Sequence, residues 1–153
     1  MFKIEELSES ELTKIKQSND FISSDEICIS DKCLYLAVYS EEENNKIYAV
    51  FDIRDAIDYI KHMRIYYLKS LMLINTEAEI EDNAIVVFGV LIDIFRYLKD
   101  KADKIGFVKI YVNTDSEFLV FSLMARKLAE QEEGKFNIKI YKNWIELRRI
   151  MDL

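Results

Sequence analysis

The side chains best suited to nucleophilic or metal chemistry are scarce in this sequence. Two cysteines, Cys28 and Cys33, and one histidine, His62, are present. The gap between the cysteines is not a zinc-knuckle spacing, and no second cysteine pair could complete a metal site. A single histidine leaves no spare base for Ser–His or Cys–His catalysis. We predict no metal site, and buried reduced thiols rather than a local disulfide, as suits a cytoplasmic protein.

Carboxylates are plentiful, with 28 Asp and Glu residues, and could in principle act as general acids or bases. A catalytic carboxylate is usually held in apolar surroundings that shift its pKa. Asp93, which ends the apolar run 84–92, is the one candidate that this pattern offers, and we place it on the solvent side of its helix. The sequence therefore predicts no catalytic residue.

The net charge of −7 is concentrated at one end of the chain. Residues 1–45 hold 11 acids and 4 bases, whereas the remaining residues hold 17 of each. An acidic chain is repelled by phosphate backbones, which argues against nucleic acid as a partner. An acidic face could still mimic nucleic acid or bind a basic protein, although a solvated face is the simpler interpretation.

The composition limits both the class of protein and the kind of site. The 153 residues suit a single domain spanning 1–153, with 50% hydrophobic and 32% charged residues, which excludes a disordered chain. Proline is absent and only three glycines occur, where ordinary usage would give roughly 8 and 11. A glycine-rich phosphate loop is therefore excluded. The longest apolar run falls well short of the ~20 residues that span a bilayer, so we expect no membrane association.

Hydrophobic periodicity predicts an alternating series of strands and helices. Ser8 and Glu11 form a capping box that begins a helix, and Thr114 and Glu117 form a second one. Asn44-Asn45 suits a hairpin turn, because Asn tolerates a positive φ. The predicted strands are Phe2–Glu6, Cys33–Ser40, Lys46–Asp52, Ile65–Asn75, Phe107–Asn113 and Phe136–Tyr141, and the predicted later helices are Ala84–Lys104 and Glu117–Gln131.

Two segments, Ile53–Met63 and Trp144–Met151, are compatible with either helix or strand. Ile65–Asn75 has apolar residues at both odd and even positions, so both faces of the strand are apolar. This is typical of a central strand that is covered on both sides. The order of elements predicts an α/β fold with a central mixed sheet flanked by helices on both faces.

This order resembles the GNAT superfamily of N-acetyltransferases over nearly the whole chain. The segment CLYLAVYSEEENNKIYAVF is similar to the family's hairpin of second and third strands, and RIYYLKSLMLIN is similar to its central fourth strand. AIVVFGVLIDIFRYLKDKADKIG is similar to the long helix that follows, and FVKIYVNTDSEFLVFSLMARKL to the next strand and helix. The resemblance implies a GNAT-like fold and, in active members, binding of acetyl-CoA.

The sequence departs from the family where acetyl-CoA would bind. GNAT members hold its pyrophosphate with a Gln/Arg-x-x-Gly-x-Gly/Ala loop, where backbone N–H groups and a helix N-terminus favour an anion. Here the corresponding segment, 75–83, reads NTEAEIEDN, with four carboxylates and no glycine. In the family, the general acid is usually a tyrosine on the next helix, about seven residues after an Asn near the helix start. The corresponding positions here are Phe121, Ser122 or Leu123, and none of them is tyrosine.

Three hypotheses remain open. The first is a GNAT-like pseudoenzyme that has lost acetyl-CoA chemistry, needs no cofactor and acts as a protein-binding or structural module. The second is a divergent N-acetyltransferase, in which Leu73, Asn75, Asn83 and Ala84 would line the acetyl-CoA site. The third is an unrelated α/β interaction protein, favoured if Ile65–Leu73 and Phe107–Asn113 are not neighbouring parallel strands.

Two charged surfaces are candidates for binding a protein partner or for self-association. One is the acidic N-terminal third, above all Glu41, Glu42 and Glu43. The other is segment 135–153, which includes Arg148 and Arg149 and carries five bases against two acids. The proline-free, Ile-, Lys- and Asn-rich composition is typical of AT-rich genomes, and therefore suggests a phage or mobile element, with the protein in the host cytoplasm or the virion.

Overall fold

The computed structural model describes residues 2–21, 27, 33–58, 63–74 and 80–150, and for 55–58, 63–67, 69 and 80–84 it describes the backbone alone. A short 3₁₀ turn, Glu41–Glu43, joins the second and third strands. In chain order the other elements are β1 (Lys3–Leu7), α1 (Glu9–Ser18), β2 (Cys33–Ser40), β3 (Lys46–Asp58), β4 (Met63–Leu73), α2 (Ile80–Ile105), β5 (Phe107–Tyr111), α3 (Asp115–Gln131), β6 (Phe136–Ile140) and β7 (Trp144–Arg149).

The strands form one mixed sheet in the order β1-β2-β3-β4-β5-β7-β6. Every adjacent pair is antiparallel except β4 and β5, which are parallel and are connected through α2. The mixed sheet and the central position of β4 confirm the predicted fold class. The parallel β4–β5 pair also removes the main reason to treat the chain as an unrelated α/β protein.

Helices cover both faces of the sheet, as predicted. The smaller core cluster joins Leu12 of α1 to Tyr35, Ala37, Val50 and Met72 of the sheet. The larger cluster joins the buried stripes of α2 and α3 to the opposite face, and its α2 members are Val90, Leu91, Ile94, Phe95, Leu98 and Ala102. This i, i+3, i+4 spacing is the apolar stripe of a helix packed on a sheet.

The predicted turn and cap residues take the expected conformations. Asn44 and Asn45 have φ values of 57° and 59°, so they form the left-handed turn between β2 and β3. Both capping boxes are present, with Ser8 Oγ accepting from Glu11 N at 3.1 Å and Thr114 Oγ1 accepting from Glu117 N at 3.2 Å. Local signals of this kind need no tertiary context, and these predictions are confirmed.

The two ambiguous segments resolve mainly as strand. β3 extends through Ile53 to Asp58, and β7 spans Trp144–Arg149. The long helix α2 begins at Ile80, four residues before the predicted Ala84. β5 ends at Tyr111 rather than at the predicted Asn113.

Two findings concern membrane spans and metal clusters in the described part of the chain. No described helix is long and apolar enough to cross a membrane. No cluster of His, Cys, Asp and Glu among the described residues could hold a metal ion. Cys33 is half-buried at the start of β2, whereas Cys28 and His62 lie outside the described residues.

The packing of α2 gives a direct test of the fold. Leu98 is fully buried in the larger core cluster, whereas Leu119 on α3 is 58% exposed. We expect Leu98→Ala to lower the free energy of unfolding by about 2–5 kcal/mol, because it leaves a cavity in the core. Leu119→Ala, the matched control, should change it by less than about 0.5 kcal/mol in urea denaturation. Equal effects of the two substitutions would contradict this packing.

Candidate functional site

The pairing between β4 and β5 is short compared with the length of β4. The parallel ladder between these strands ends at Leu68 opposite Ile110, although β4 continues to Leu73 and β5 to Tyr111. The carboxyl ends of adjacent strands in an α/β sheet are the usual place for a ligand. This junction, which we call the β4–β5 cleft, is therefore the candidate site.

The cleft edge of β4 is contacted by another part of the same chain. Ile74, directly after β4, donates from its backbone N to Tyr48 O of β3 at 2.9 Å. Ile74 also forms an antiparallel bridge with Phe21, in the segment that follows α1. Because β3 occupies one edge of β4 at this residue, Phe21 must occupy the other edge, which faces the cleft. The backbone groups at the end of β4 are thus partly taken by the protein itself.

The four residues predicted to line an acetyl-CoA site flank the connection from β4 to α2. Leu73 is half-buried at the end of β4, while Asn83 and Ala84 belong to the first turns of α2. Asn75 lies outside the described residues, together with the rest of 75–79. The backbone places Leu73 upstream and the Asn83-Ala84 pair downstream of this connection, and their role in an acetyl-CoA site stays a prediction.

The first turn of α2 contains acidic residues. Because α2 begins at Ile80, Glu81 and Asp82 fall within its first turn. Glu77 and Glu79 precede it in the sequence. Carboxylates at this position stabilise a helix through its macrodipole, typically by about 0.3–1 kcal/mol each. The sequence thus has acidic residues where a helix N-terminus favours them.

The N-terminus of α3, on the other side of the cleft, is closed by its own carboxylate. Glu117 is 3% exposed, and its Oε2 accepts from Asn113 N at 3.1 Å, from Thr114 N at 2.8 Å and from Thr114 Oγ1 at 3.0 Å. These donors are satisfied inside the protein, so the start of α3 offers them to no external anion. The capping box was predicted, but the burial of Glu117 was not.

The α3 positions where the family places its tyrosine carry no acid group. Phe121 is buried in the core and Leu123 is 43% exposed. The hydroxyl of Ser122 donates to Leu119 O of the same helix at 3.2 Å. None of the three could protonate a leaving thiolate as a tyrosine would.

Asp52 is a buried carboxylate that the sequence analysis missed. It lies in β3 at a register irregularity opposite β4, and its side chain is fully buried. Oδ1 accepts from Ser70 N at 2.8 Å, and Oδ2 lies 3.5 Å from Arg54 Nε in an ion pair without a hydrogen bond. Burial raises the pKa of Asp52, although the Ser70 amide and Arg54 oppose that shift. Its position between Phe51 and Ile53, in an apolar strand, was the signal that could have identified it.

The prediction for Asp93 is wrong. Its side chain is only 12% exposed, because Oδ2 accepts from Phe2 N at 3.0 Å and Oδ1 pairs with Arg96 Nη1 at 3.1 Å. Phe2 thus contacts α2 at Asp93. Gly89 makes that approach possible, since a Cβ there would lie 3.2 Å from the Phe2 ring. Asp93 anchors Phe2 to the helix rather than facing solvent.

The acidic candidate surface lies at the turn between β2 and β3. Glu41 pairs with Lys3 of β1 at 2.9 Å, and Glu43 accepts a hydrogen bond from the Tyr48 hydroxyl. Burial and the bond to Glu43 raise the pKa of Tyr48 to about 12. Glu42 is exposed between them. Two of the three glutamates therefore hold the adjoining strands in place as well as carrying charge.

The two arginines of the basic candidate surface lie on opposite faces of β7. Arg149 Nη1 contacts Asp103 Oδ1 of α2 at 2.6 Å, so it faces the helices. Arg148, one residue earlier, is exposed on the other face. β4 and β5 lie between β3 and β7, so these arginines and Glu41–Glu43 belong to separate surfaces.

A groove of about 480 Å³ runs between α2 and α3, away from the cleft. Three cations line it, but two of them are paired: Arg96 with Asp93 at 3.1 Å, and Lys99 with both Asp103 at 3.2 Å and Glu132 at 3.4 Å. The pairs with Asp93 and Asp103 lie within α2, the pair with Glu132 joins α2 to the C-terminal end of α3, and together they cancel much of the positive charge. The groove therefore shows no preference for an anionic ligand.

The raised pKa of Asp52 predicts a pH dependence of stability. A carboxyl whose folded-state pKa exceeds its unfolded value destabilises the fold when ionised, and this cost disappears as the pH falls through the folded pKa. We expect the wild type to gain stability relative to Asp52→Asn as the pH falls from 7 towards 4. Urea denaturation over that range measures the difference.

Asp100→Asn, at an exposed position on α2, controls for the loss of one acidic group. The contradicting result is that the wild type loses stability relative to Asp52→Asn as the pH falls. That result would mean that Arg54 and the Ser70 amide outweigh the effect of burial on the pKa of Asp52.

No protein-family model matches the sequence, and no curated protein does. Solved structures do match. A mutant of the AtaT toxin bound to the C-terminus of the antitoxin AtaR superposes with a TM-score of 0.50 and 10% identity, over 97% of this chain and 92% of that one. The ribosomal-protein-S18-alanine N-acetyltransferase from Escherichia coli gives 0.49 and 10%, over 99% and 96%. A possible acetyltransferase from Clostridium difficile 630 gives 0.48 and 13%, over 93% and 96%.

The similar structures point to the fold of GNAT acetyltransferases, and among them the AtaT structure reaches a TM-score of 0.50. The element order, the mixed sheet and the parallel β4–β5 pair agree with the resemblance seen in the sequence. At about one identical residue in ten, this likeness is evidence about the fold and not about activity. The chain has the fold of the GNAT superfamily of N-acetyltransferases.

Proposed function

We propose that this protein is a GNAT-fold domain that does not use acetyl-CoA and acts as a protein-binding module. The observation that carries the proposal is the start of α2. The helix that holds pyrophosphate in the family begins here at Ile80, with Glu81 and Asp82 in its first turn and Glu77 and Glu79 just before it. A pyrophosphate would have to approach these carboxylates closely.

The size of the repulsion favours exclusion of the ligand. Two unit charges 4 Å apart repel by about 1 kcal/mol even in bulk water, and by about 4 kcal/mol in the lower effective dielectric near a protein surface. Several carboxylates against a multiply charged diphosphate add to this cost. The amide groups and dipole at the end of one helix offset only a small part of it.

Backbone geometry supports the same conclusion. Close approach of a phosphate to the main chain favours glycine, yet the three glycines, Gly89, Gly106 and Gly134, all lie elsewhere. Phe21 bridges the cleft edge of β4 at Ile74, where a ligand would need free backbone groups. Charge, side-chain bulk and occupied backbone groups therefore all oppose the binding of acetyl-CoA at the β4–β5 cleft.

One observation favours the alternative, a divergent N-acetyltransferase. The ladder between β4 and β5 ends at Leu68 while β4 continues to Leu73, so the end of β4, where such a ligand would lie, is not paired with β5. In that case Leu73, Asn75, Asn83 and Ala84 would line the acetyl-CoA site through other backbone donors. The phage or mobile-element setting, as a virion component or host-directed effector, suits the binding module better but rests on composition alone.

Titration calorimetry with acetyl-CoA separates the two functions. We expect no heat of binding, and no rise in melting temperature with ~1 mM ligand, because the acidic segment repels the diphosphate. A ligand present at about 100 times its dissociation constant would otherwise add about 2.7 kcal/mol of stability. The Escherichia coli N-acetyltransferase, measured in parallel, is the positive control. A micromolar dissociation constant for this chain would overturn the proposal.

A neutralised variant tests whether charge is the cause. Glu77→Gln, Glu79→Gln, Glu81→Gln and Asp82→Asn together keep side-chain size and remove the four charges. We expect affinity for acetyl-CoA to rise at least about tenfold, which corresponds to about 1.4 kcal/mol of removed repulsion. The control variant neutralises Glu41, Glu42 and Glu43 instead and should leave that affinity unchanged. An equal response of both variants would mean that overall charge, and not this segment, controls binding.

A further inference from the structure

One face of the C-terminal half of the sheet carries aromatic and cationic side chains. The strand pairs place Lys109 opposite Glu146, Tyr111 opposite Trp144, and Lys139 also opposite Glu146. Because side chains alternate along a strand, these residues share one face with Arg148. Val108, Ile110, Ile145 and Leu147 point the other way, into the core cluster under α2 and α3.

We call this surface the Trp144 face and define it by Lys109, Tyr111, Lys139, Tyr141, Trp144, Glu146 and Arg148. Lys139, Tyr141 and Arg148 are exposed, and the other four are half-buried. The helices that contact β5, β6 and β7 in the described part of the chain, α2 and α3, lie on the opposite side of the sheet. The face is therefore a separate surface from the helical layer, and it ends beside Phe107, which pairs with Arg148 on the same face and is buried.

The aromatic rings of the Trp144 face are held in place by contacts with each other and with lysine. Tyr141 stacks on Trp144 with ring centroids 4.6 Å apart. Lys109 Nζ lies 4.6 Å from the Trp144 centroid and 5.2 Å from the Tyr111 centroid. Trp144 Nε1 donates to Glu146 Oε1 at 3.2 Å. Rings that are already ordered lose little conformational entropy when a partner binds.

The residue types are those that dominate binding energy in protein interfaces. Trp, Tyr and Arg are enriched among hot spots, where a few well-packed side chains carry most of the affinity. Tyr141 keeps 40% of its surface exposed even though it stacks on Trp144. Its outer ring face can therefore receive an apolar side chain from a partner.

The charge of the Trp144 face is opposite to that of the chain. Lys109, Lys139 and Arg148 stand against the single acid Glu146, while the whole chain carries −7. Among the described residues, no salt bridge is found for Lys139 or Arg148. This contrasts with the groove between α2 and α3, where the cations Arg96 and Lys99 are paired. The local field therefore attracts acidic groups.

We infer that the Trp144 face binds an exposed acidic segment of a partner protein, with an apolar side chain on Tyr141 and Trp144 and carboxylates near Lys139 and Arg148. The inference rests on the proposed role as a protein-binding module and names its surface. A nucleic acid fits less well, because its many phosphates also meet the net negative charge of the chain. A short acidic segment meets mainly the local charges, since salt screens the others beyond about 8–10 Å.

Trp144 is the one tryptophan in the chain, so its fluorescence reports on this face alone. The probe is a synthetic twelve-residue peptide that alternates Glu and Asp with Phe and Leu. A control peptide has Gln and Asn in place of the acids. We expect the acidic peptide to change Trp144 emission saturably and to bind at least about tenfold more tightly than the neutral peptide. Its affinity should also fall as salt is raised, because screening weakens the charged contacts.

Substitutions locate the binding surface. Lys139→Glu combined with Arg148→Glu should weaken binding of the acidic peptide at least about tenfold, and Tyr141→Ala at least about fivefold. Arg126→Glu, at an exposed position on α3, is the matched charge reversal and should have no effect. Circular dichroism confirms that each variant is folded, and a Tyr141→Phe variant, which keeps the ring, should bind as the wild type does.

Three results would overturn the inference. One is equal binding of the acidic and neutral peptides, or no binding of either. Another is tighter binding of a twelve-nucleotide oligothymidine than of the acidic peptide, which would assign the face to single-stranded nucleic acid. The last is a concentration-dependent doubling of mass in light scattering that Arg148→Glu abolishes, which would assign it to a second copy of the chain. Acetyl-CoA binding, measured separately, would overturn the proposed function instead.

Discussion

The account depends on the electrostatics at the first turn of α2. A helix N-terminus carries partial positive charge and unpaired N–H groups, and the GNAT resemblance implies that relatives use both to hold a diphosphate. This chain places Glu81 and Asp82 in that turn and Glu77 and Glu79 immediately before it. In our proposal, the same charges that help the helix to begin also repel a phosphate ligand, so that local helix stability and ligand exclusion follow from one set of residues.

The rest of the molecule is consistent with a fold that is retained while binding takes place on a different surface. The parallel ladder ends at Leu68, yet Phe21 bridges the neighbouring edge at Ile74, and Glu117 accepts from the amides of Asn113 and Thr114 just before α3. α2 and α3 cover one face of the C-terminal strands, while the opposite face displays ordered aromatic rings and cations. In our proposals, contact with another protein replaces contact with a cofactor.

Sequence patterns predicted the elements with strong local signals, because capping boxes, turn residues and amphipathic periodicity act within a few residues. The boxes at Ser8 and Thr114 and the Asn44-Asn45 turn are examples. Ile53–Met63 stayed ambiguous, since its isoleucine spacing fits a helix and only pairing with β4 makes residues up to Asp58 a strand.

Asp52 was missed and Asp93 misplaced for a related reason. Their partners, the Ser70 amide and the Phe2 amide, are distant in sequence, so only the tertiary structure shows that both carboxylates are covered. The acidic β4–α2 segment was readable from sequence, but residues 75–79 lie outside the described structure, so its effect on a ligand stays a prediction.

The most direct test is a crystal structure determined from crystals of the protein grown in the presence of millimolar acetyl-CoA. If carboxylates at the start of α2 exclude the diphosphate, the map will contain no coenzyme between β4 and β5, and Phe21 will still bridge Ile74. Clear electron density for pyrophosphate on the N–H groups of the first turn of α2, with the pantetheine arm along β4 in place of Phe21, would contradict the account.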